Sequence, residues 1–381
     1  MADAALRDRV AVVGVGNTTF GRLPGHSAYD LGLWAFKEAL ADAGLRARDV
    51  DGLIVNRIPD YQRFGEIAGI DPRFAAITPG QGRMSGASIQ MAAAVIAAGM
   101  ATTVALVYGN DGRSAGAKYG GDSDGYGSGG AGMWFPYGMT SPGAVHAMMF
   151  RQHMHRYGTT TRQLAEVGVA FRTHASLNPN AVMREPITIE QHQASRFICD
   201  PLRLFDYCLI NDGGVCLIVT GAERARDRAK PPVWLRGFGQ ATRLADSSFP
   251  DEDFWHAPIA ASGRDAFAMA GVAREDLDAL MIYDNFSPTV LFSLEGLGFC
   301  GRGESGPFVE GGTLSLGGRW PTNTSGGHMS ESYMQGWALN VEAVRQLRGE
   351  CGPRQVNGAR HVLYTCAAPL VTTIIYGRDD R

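Results

Sequence analysis

Several features that assign a chain to a functional class are missing from this sequence. Its six cysteines form no Cys-x-x-Cys pair, and none occurs before Cys199. The first nine residues include acidic side chains and no apolar stretch, so we expect no signal peptide. Without such a signal, the cysteines are expected to be reduced thiols of a cytoplasmic protein.

Positive charge and long hydrophobic runs are scarce as well. The formal net charge is −3, which argues against a nucleic-acid partner because neutralising phosphates requires a basic face. The longest apolar run, residues 89–107, is broken by Gln90 and by the stretch Gly-Met-Ala-Thr-Thr. It predicts a buried helix followed by a buried strand and no membrane span. No metal site is expected, since His153 and His155 lie on different faces of a predicted helix.

The sequence does contain an internal repeat. Residues 43–56 resemble residues 270–283, and each segment follows an apolar-periodic helix that ends at a glycine. Those helices are expected at 28–43 and 264–270. Each segment then enters a run of Leu, Ile, Val or Met, which predicts a buried strand.

A second pair of segments extends the repeat. The helix expected at 87–98 and the strand at 102–108 match a helix at 336–348 and a strand at 360–365. Each half therefore combines helices and strands in the same order. This predicts an α/β fold with two βαβαβ-type halves, whose related sheets have helices between and outside them.

The repeat also predicts the domain organisation. We expect an N-terminal half over residues 1–228, with an inserted loop domain at about 112–205, and a C-terminal half over residues 229–381. Insertions of this size usually cover a site. The insertion holds a glycine-rich loop and two helices, at 120–132, 144–157 and 161–176.

Equivalent loops of the two halves should meet near a pseudo-twofold axis. These are the loops at 81–86 and 323–335, each of which precedes a core helix. Two helix N-termini at one cleft would offer backbone N–H groups and positive dipole ends to an anion.

The second loop carries the most informative motif, Asn323-Thr-Ser-Gly-Gly-His-Met-Ser-Glu-Ser-Tyr-Met-Gln-Gly336, followed by Gln346-Leu-Arg-Gly-Glu350. This frame resembles the C-terminal active-site loop of a thiolase. Five further segments resemble the sterol-carrier-protein-x branch of the thiolase superfamily. The resemblance covers essentially the full chain and implies a five-layered α-β-α-β-α thiolase fold. The five segments are Arg9-Val-Ala-Val-Val-Gly-Val-Gly16, Asn178-Pro-Asn-Ala181, Asp200-Pro-Leu-Arg-Leu204, Asn211-Asp-Gly-Gly214 and Tyr283-Asp-Asn-Phe286.

The catalytic residues of a thiolase are not kept. The loop at 80–86, where the nucleophilic cysteine is expected, contains no cysteine. Tyr333 stands at the position of the Gly-His-Pro histidine, and Tyr283 replaces the histidine of the branch's His-Asp-Cys-Phe motif. Cys366 lies near the position of the second catalytic residue without aligning with it. A condensation through a cysteine acyl-enzyme therefore lacks its nucleophile.

A missing cysteine combined with a tyrosine pair resembles the aldolases of bacterial steroid side-chain degradation. The resemblance implies a lyase that performs retro-aldol cleavage of a β-hydroxyacyl-CoA to a ketone and a shorter acyl-CoA such as propionyl-CoA. It also implies a homodimer and a small partner protein with an OB-fold and a zinc ribbon. No cofactor is expected, because CoA is part of the substrate.

Retro-aldol chemistry needs a base, an acid and hydrogen-bond donors for the enolate oxygen. Tyr283 and Tyr333 are the candidate base and acid, in either order. His328 and Asn285 are the expected partners of the phenols. The other supporting candidates are Asp284, Ser330 and Ser85.

Other residues of the two loops have alternative interpretations. Ser325, Gly326 and Gly327 are candidates for contact with the pantetheine arm of CoA, or they form a turn. Ser85 is a candidate nucleophile or, more simply, a helix N-cap. Two other functions therefore stay open, a non-catalytic acyl-CoA-binding subunit and an acyltransferase or condensing enzyme.

Overall fold

The computed structural model of the protein describes residues 6–117, 138–139, 141–228, 230–244, 255–367 and 369–379. The glycine-rich run at 120–132 lies outside the described residues. The strands are β1 (Val10–Asn17), β2 (Gly52–Asn56), β3 (Phe74–Thr78), β4 (Thr103–Asn110), β5 (Phe197–Cys199), β6 (Leu202–Arg203), β7 (Gly213–Gly221), β8 (Val233–Thr242), β9 (Ala279–Ile282), β10 (His361–Cys366) and β11 (Leu370–Gly377). The helices are α1 (Ala28–Ala43), α2 (Tyr61–Ala68), α3 (Met84–Ala97), α4 (Pro142–Tyr157), α5 (Thr161–Ser176), α6 (Ile189–Ala194), α7 (Ala222–Ala225), α8 (His256–Ala270), α9 (Ser287–Gly296), α10 (Ser305–Val309), α11 (Gly327–Ser330) and α12 (Trp337–Arg348).

The pairing of the strands confirms the duplication. The main sheet has the order β3-β2-β4-β7-β1-β8-β11-β10-β9. In the first half β2 runs parallel to β4, and β7 is antiparallel to both β4 and β1. The second half repeats this scheme, because β9 runs parallel to β10 and β11 is antiparallel to both β10 and β8.

The related sheets of the two halves are hydrogen-bonded to each other, so that their strands form one continuous nine-stranded sheet in the described residues. They are joined where β1 and β8 pair antiparallel, with Ala11 opposite Trp234 and Val12 opposite Val233. The strands β1 and β8 occupy equivalent positions in their two halves, so the joint between them lies on the pseudo-twofold axis. The expected division at residues 228 and 229 stays a prediction, and the chain passes between the halves after β7 and before β8.

The helices lie in the layers that the thiolase resemblance implies. Apolar side chains of α3 and α12 share one hydrophobic core with strands of both halves. On the opposite face α1 packs on the first half, and α8 packs on the second half. The order outer helix, sheet, central helices, sheet, outer helix is therefore confirmed.

Local sequence signals explain where the repeated helices end. The helices α1 and α8 stop at Gly44 and Gly271, whose φ angles of 64° and 62° are left-handed. Glycine adopts this conformation without the steric cost that a β-carbon would add. Helix α8 begins at His256, earlier than the expected start at residue 264. The sequence analysis missed its first half because the apolar periodicity is weak there.

The insertion is fastened to the second active-site loop. Its helices α4 and α5 agree with the expected ranges, and Asn178 follows α5. Asn178 Nδ2 donates to the carbonyl of Ser325 and to Glu331 Oε1, both at 3.0 Å. Among the helices of the described residues, none is both long enough and apolar enough to span a bilayer.

Candidate active site

The two tyrosines singled out in the sequence meet at the cleft between the halves. Tyr283 directly follows β9, and Tyr333 lies in the turn between α11 and α12. Their hydroxyl oxygens are 2.8 Å apart, within hydrogen-bond distance. Tyr283 is 3% exposed, whereas Tyr333 is partly exposed. The arrangement therefore has an inner and an outer phenol.

The protein environment keeps both phenols protonated. Burial raises the pKa of Tyr283 well above 10, and the neighbouring Tyr333 and Cys366 raise it further. Burial also raises the pKa of Tyr333, with a further contribution from Cys208. Neither hydroxyl is therefore a preformed phenolate at neutral pH.

Asn211 holds the outer tyrosine, a role that the sequence analysis did not predict. The backbone N–H of Tyr333 donates to Asn211 Oδ1 at 2.8 Å. Asn110 Nδ2 in turn donates to the carbonyl of Asn211 at 2.8 Å. The motif Asn211-Asp-Gly-Gly214 carries part of the family resemblance in the sequence, but the motif alone does not indicate that Asn211 contacts Tyr333.

The two active-site loops meet, as the duplication predicts. Gln335 Nε2 donates to the carbonyl of Gly80 at 3.2 Å. A β-carbon placed on Gly82 would lie 1.8 Å from Tyr283 Oη. The loop that lacks the cysteine therefore packs its backbone directly on the inner phenol.

His328 does not bind either phenol, contrary to expectation. Its Nδ1 lies 3.0 Å from Asp284 Oδ1, and the Gly336 N–H donates to its Nε2 at 2.9 Å. The backbone N–H of Asp284 also lies 3.3 Å from Nδ1, so both ring nitrogens have partners other than the phenols. His328 contacts both tyrosine rings only edge to face, with centroids 4.6 Å and 5.3 Å away. It is a fixed support for the loop.

Asp284 also supports the loop rather than the phenols. Its Oδ1 accepts from the N–H of His328 at 2.9 Å, and its Oδ2 accepts from the N–H of Met329 at 3.2 Å. The carboxylate thereby satisfies backbone donors of the turn that leads to Tyr333. Its place beside Tyr283 in the chain couples the two tyrosine-bearing segments.

Asn285 and Ser330 also have partners other than the tyrosines. Asn285 Oδ1 accepts from Thr289 Oγ1 at 2.9 Å, so it is bound within the first turn of α9. Ser330 Oγ accepts from Arg172 Nε at 2.9 Å, which ties the loop to α5. A supporting role of Asn285 at the phenols therefore stays a prediction.

Ser85 is not the N-cap of α3. The helix begins at Met84, so Ser85 lies inside its first turn. Its hydroxyl is buried, and it is hydrogen-bonded to Tyr364 Oη at 2.7 Å and to the carbonyl of Gly82 at 3.1 Å. Cys366 is buried too, and burial raises the pKa of its thiol, which makes it a poor nucleophile.

Ser325, Gly326 and Gly327 are buried and form a turn. Ser325 Oγ donates to Glu331 Oε2 at 2.7 Å. Gly326 and Gly327 have φ angles of 106° and 62°, which a residue with a β-carbon rarely adopts. These contacts favour the turn, and contact with the pantetheine arm stays a prediction.

A cavity of about 980 Å³ is lined in part by Cys208 and by Asn211, which holds Tyr333. Tyr283 and Tyr333 themselves do not line it. Within the described ranges, no group of three or more His, Cys, Asp or Glu side chains is arranged to hold a metal ion.

The fold and the site together define a thiolase-like enzyme with a tyrosine pair in place of the thiolase catalytic residues. Residues 241–375 match the family model described as Thiolase C-terminal domain-like. The solved structure of human mitochondrial 3-ketoacyl-CoA thiolase has a TM-score of 0.72 at 16% identity, over 98% of this chain and 100% of its own, which shows the common fold.

More similar relatives narrow the class. The 17-hydroxy-3-oxo-4-pregnene-20-carboxyl-CoA lyase of Mycobacterium tuberculosis is 37% identical over 97% of this chain and 98% of its own length. The steroid side-chain-cleaving aldolase of Thermomonospora curvata is 36% identical over 99% of this chain and 100% of its own. The structure of the Ltp2-ChsH2(DUF35) aldolase has a TM-score of 0.90 at 35% identity, covering 99% of each chain. The chain therefore belongs to the family of steroid side-chain-cleaving aldolases, which are carbon–carbon lyases.

Proposed function

We propose that this protein cleaves a β-hydroxyacyl-CoA by a retro-aldol reaction, and that the substrate is a steroid side-chain intermediate with a tertiary alcohol. The products are a ketone and a shorter acyl-CoA such as propionyl-CoA. The observation that carries the proposal is the pair of phenol hydroxyls 2.8 Å apart, facing a loop without a cysteine. The names of the relatives from Mycobacterium tuberculosis and Thermomonospora curvata support the substrate class.

A relay through two neutral phenols accounts for the reaction. The overall change moves one proton from the β-hydroxyl oxygen to Cα, while the Cα–Cβ bond breaks. One phenol accepts the alcohol proton and passes its own proton to the second phenol, which protonates Cα of the enolate. Both phenols are neutral before and after the reaction, which agrees with the raised pKa of each. The relay works with either tyrosine next to the alcohol.

Developing charge on the thioester oxygen requires further donors. In the described part of the chain, Ser332 Oγ and Trp337 Nε1 are buried without a hydrogen-bond partner, and both lie close in sequence to Tyr333. Buried donors usually have a partner. These two groups are our candidates for contact with the thioester oxygen.

Product analysis tests the proposal directly. Purified protein is incubated with a steroid β-hydroxyacyl-CoA, and the ketone and the shorter acyl-CoA are measured by mass spectrometry. Equimolar formation of both products is expected. Binding of the thioester without cleavage would instead support the alternative of a non-catalytic subunit.

The acyltransferase alternative depends on Ser85. That side chain is buried, and its hydroxyl is bonded to a second hydroxyl whose pKa burial raises well above 10, so a base for its activation is missing there. A covalent acyl adduct on Ser85 would support this alternative. We expect no adduct, and we expect Ser85→Ala to cleave the substrate within about three-fold of the unchanged protein.

We also propose two assemblies. The similar structure pairs its aldolase with ChsH2(DUF35), which supports a small OB-fold and zinc-ribbon partner here. A homodimer is supported by β3, an edge strand of the main sheet whose Ile77 is 50% exposed, since an open edge readily pairs with a second chain. Light scattering and co-purification test these assemblies. A cytoplasmic location and the absence of a cofactor stay predictions, since CoA is counted as part of the substrate.

A further inference from the structure

We infer that Tyr108 is a third functional phenol of the site, and that its hydroxyl and the indole N–H of Trp337 donate hydrogen bonds to the thioester oxygen of the substrate. This inference rests on the proposed function, because it assigns a role in the same reaction. Cleavage of the Cα–Cβ bond places negative charge on that oxygen, and hydrogen-bond donors held in place by the fold stabilise such charge.

Tyr108 lies at the carboxyl end of a core strand, at a place equivalent to one beside the inner tyrosine. The internal repeat aligns Asn56 with Tyr283. Asn56 on β2 pairs with Tyr108 on β4. Continuing the parallel register of β9 and β10 by one residue brings Tyr283 beside Cys366. Tyr108 and Cys366 therefore hold equivalent places in the two halves, at the strand ends where α/β sheets usually bind their ligands.

The side chain of Tyr108 points from the sheet towards the central helices. It belongs to the hydrophobic core that contains Tyr283 and Trp337, and Tyr333 packs against the same core. The rings of Tyr108 and Trp337 have their centroids 6.2 Å apart. Tyr108 also contributes to the raised pKa of Tyr333, which requires the two phenols to be close. The hydroxyl of Tyr108 is therefore near the outer phenol of the pair.

The hydroxyl of Tyr108 is buried without a hydrogen-bond partner in the described part of the chain. Its side chain is 0% exposed, and the indole N–H of Trp337 is likewise buried and unpartnered there. An unpaired buried donor costs stability, and buried polar groups of folded proteins normally have a partner. Two such donors on neighbouring rings indicate an acceptor that arrives with a ligand.

Other phenols of the same core do have partners. Tyr364 Oη is hydrogen-bonded to Ser85 Oγ at 2.7 Å, and Tyr376 Oη donates to Asn340 Oδ1 at 2.7 Å. Both tyrosines are fully buried. The core can therefore satisfy a buried phenol, and the unpartnered hydroxyl of Tyr108 is a local feature of the place where Tyr333 packs.

The chemistry of the two groups suits an oxygen that becomes negatively charged. Burial raises the pKa of Tyr108 well above 10, so its hydroxyl keeps the proton that it donates. The indole N–H of Trp337 can only donate. The β-hydroxyl oxygen becomes a neutral ketone oxygen and exchanges its proton with the tyrosine pair. The thioester oxygen is the substrate atom that gains most from two fixed donors.

Replacing Tyr108 with Phe should lower activity without lowering stability. Loss of one donor to a developing oxyanion costs about 10²- to 10³-fold in kcat, and we expect a fall in that range for the full-length chain with a steroid β-hydroxyacyl-CoA. The removed hydroxyl has no partner among the described residues, so the urea midpoint should stay the same or rise. Tyr376→Phe is the matched control, because it removes a partnered phenol of the same core. It should lower the midpoint and keep cleavage within about three-fold.

Two ligands that cannot be cleaved test contact with the thioester oxygen itself. Both lack the β-hydroxyl, and one keeps the thioester while the other has a CH₂ group in place of its carbonyl. By calorimetry, the unchanged protein should bind the thioester about five-fold more tightly, as hydrogen bonds to a neutral oxygen allow. Tyr108→Phe should lose most of this preference, and Tyr376→Phe should keep it.

The outcomes separate the inference from the proposed function. A fall of kcat smaller than ten-fold in Tyr108→Phe would overturn the inference, and so would a loss of urea midpoint as large as that of Tyr376→Phe. A thioester preference that Tyr108→Phe retains in full would overturn it as well. Each of these results leaves the lyase intact if the unchanged protein cleaves the substrate. A preference that depends on Tyr108, without any cleavage by the unchanged protein, would support the contact and contradict the lyase.

Discussion

Replacing Tyr333 with Phe tests the tyrosine relay most directly. The change keeps the aromatic ring and removes the hydroxyl that lies 2.8 Å from Tyr283 Oη. General acid–base groups contribute about 10²- to 10⁴-fold to a rate, which is about 3 to 5 kcal/mol of barrier. We expect kcat of Tyr333→Phe to fall within that range, and Tyr283→Phe to fall by a similar factor.

The double variant provides the sharper test. A relay needs both phenols, so the second change should cost little once the first has been made, as is usual for groups that act together. Independent roles would instead multiply the two losses. Steady-state kinetics on the steroid thioester, with ketone release as the signal, distinguish these results.

Stability should follow a different pattern from activity. Tyr333→Phe leaves the buried hydroxyl of Tyr283 without its partner, which costs about 1–3 kcal/mol. Tyr283→Phe leaves the hydroxyl of Tyr333 without the same hydrogen bond, so we expect a cost of similar size. Urea denaturation of the two single variants and the double variant measures these costs.

A matched control removes a similar hydrogen bond elsewhere. Tyr376 is buried on β11, and its hydroxyl donates to Asn340 Oδ1 at 2.7 Å. Tyr376→Phe should lose stability and keep cleavage within about three-fold. If Tyr333→Phe also keeps cleavage within ten-fold of the unchanged protein, the relay is wrong. A tyrosine ionisation between pH 6 and 9 in the profile of kcat/KM, removed by either change to Phe, would also contradict it.

Three further changes test how the site is built. Gly82→Ala should lower kcat at least ten-fold because its β-carbon would overlap the inner phenol, whereas Gly80→Ala in the same loop meets only a flexible arginine side chain and should stay active. Asn211→Ala should lower kcat about ten-fold by freeing the outer tyrosine's backbone, and an unchanged kcat would contradict its positioning role. Burial raises the pKa of Glu331 from 4.5 to about 7, so the folded protein loses stability as pH rises through this window and levels off above it. Glu331→Gln should therefore be more stabilising at pH 8 than at pH 5, by up to about 3 kcal/mol in urea denaturation, and equal effects at both pH values would count against this reasoning.

Local signals made the fold predictable from the sequence. Glycines that end α1 and α8, and apolar periodicity within each repeat, depend only on neighbouring residues. The common order of helices and strands in the two halves was predictable from the internal repeat. The joint between β1 and β8 was not predictable, because two short strand segments from distant parts of the chain form it.

The tyrosine pair was predictable because the thiolase motifs mark both positions. Its surroundings were not, since they depend on contacts across long stretches of sequence. Asn211 lies 122 positions before Tyr333, yet its side chain accepts the backbone N–H of that residue. His328 was expected at a phenol, but the N–H of Gly336 already occupies its Nε2.

The inner phenol and the glycine at position 82 require each other. Tyr283 Oη lies only 1.8 Å from the place of a β-carbon at position 82, so any residue other than glycine there would overlap it. A phenol in this place is therefore compatible only with a glycine at position 82, and that glycine leaves space for the phenol to reach Tyr333. It follows that a side chain introduced at position 82, whether alanine or cysteine, should displace Tyr283 unless Tyr283 is reduced in size in the same variant.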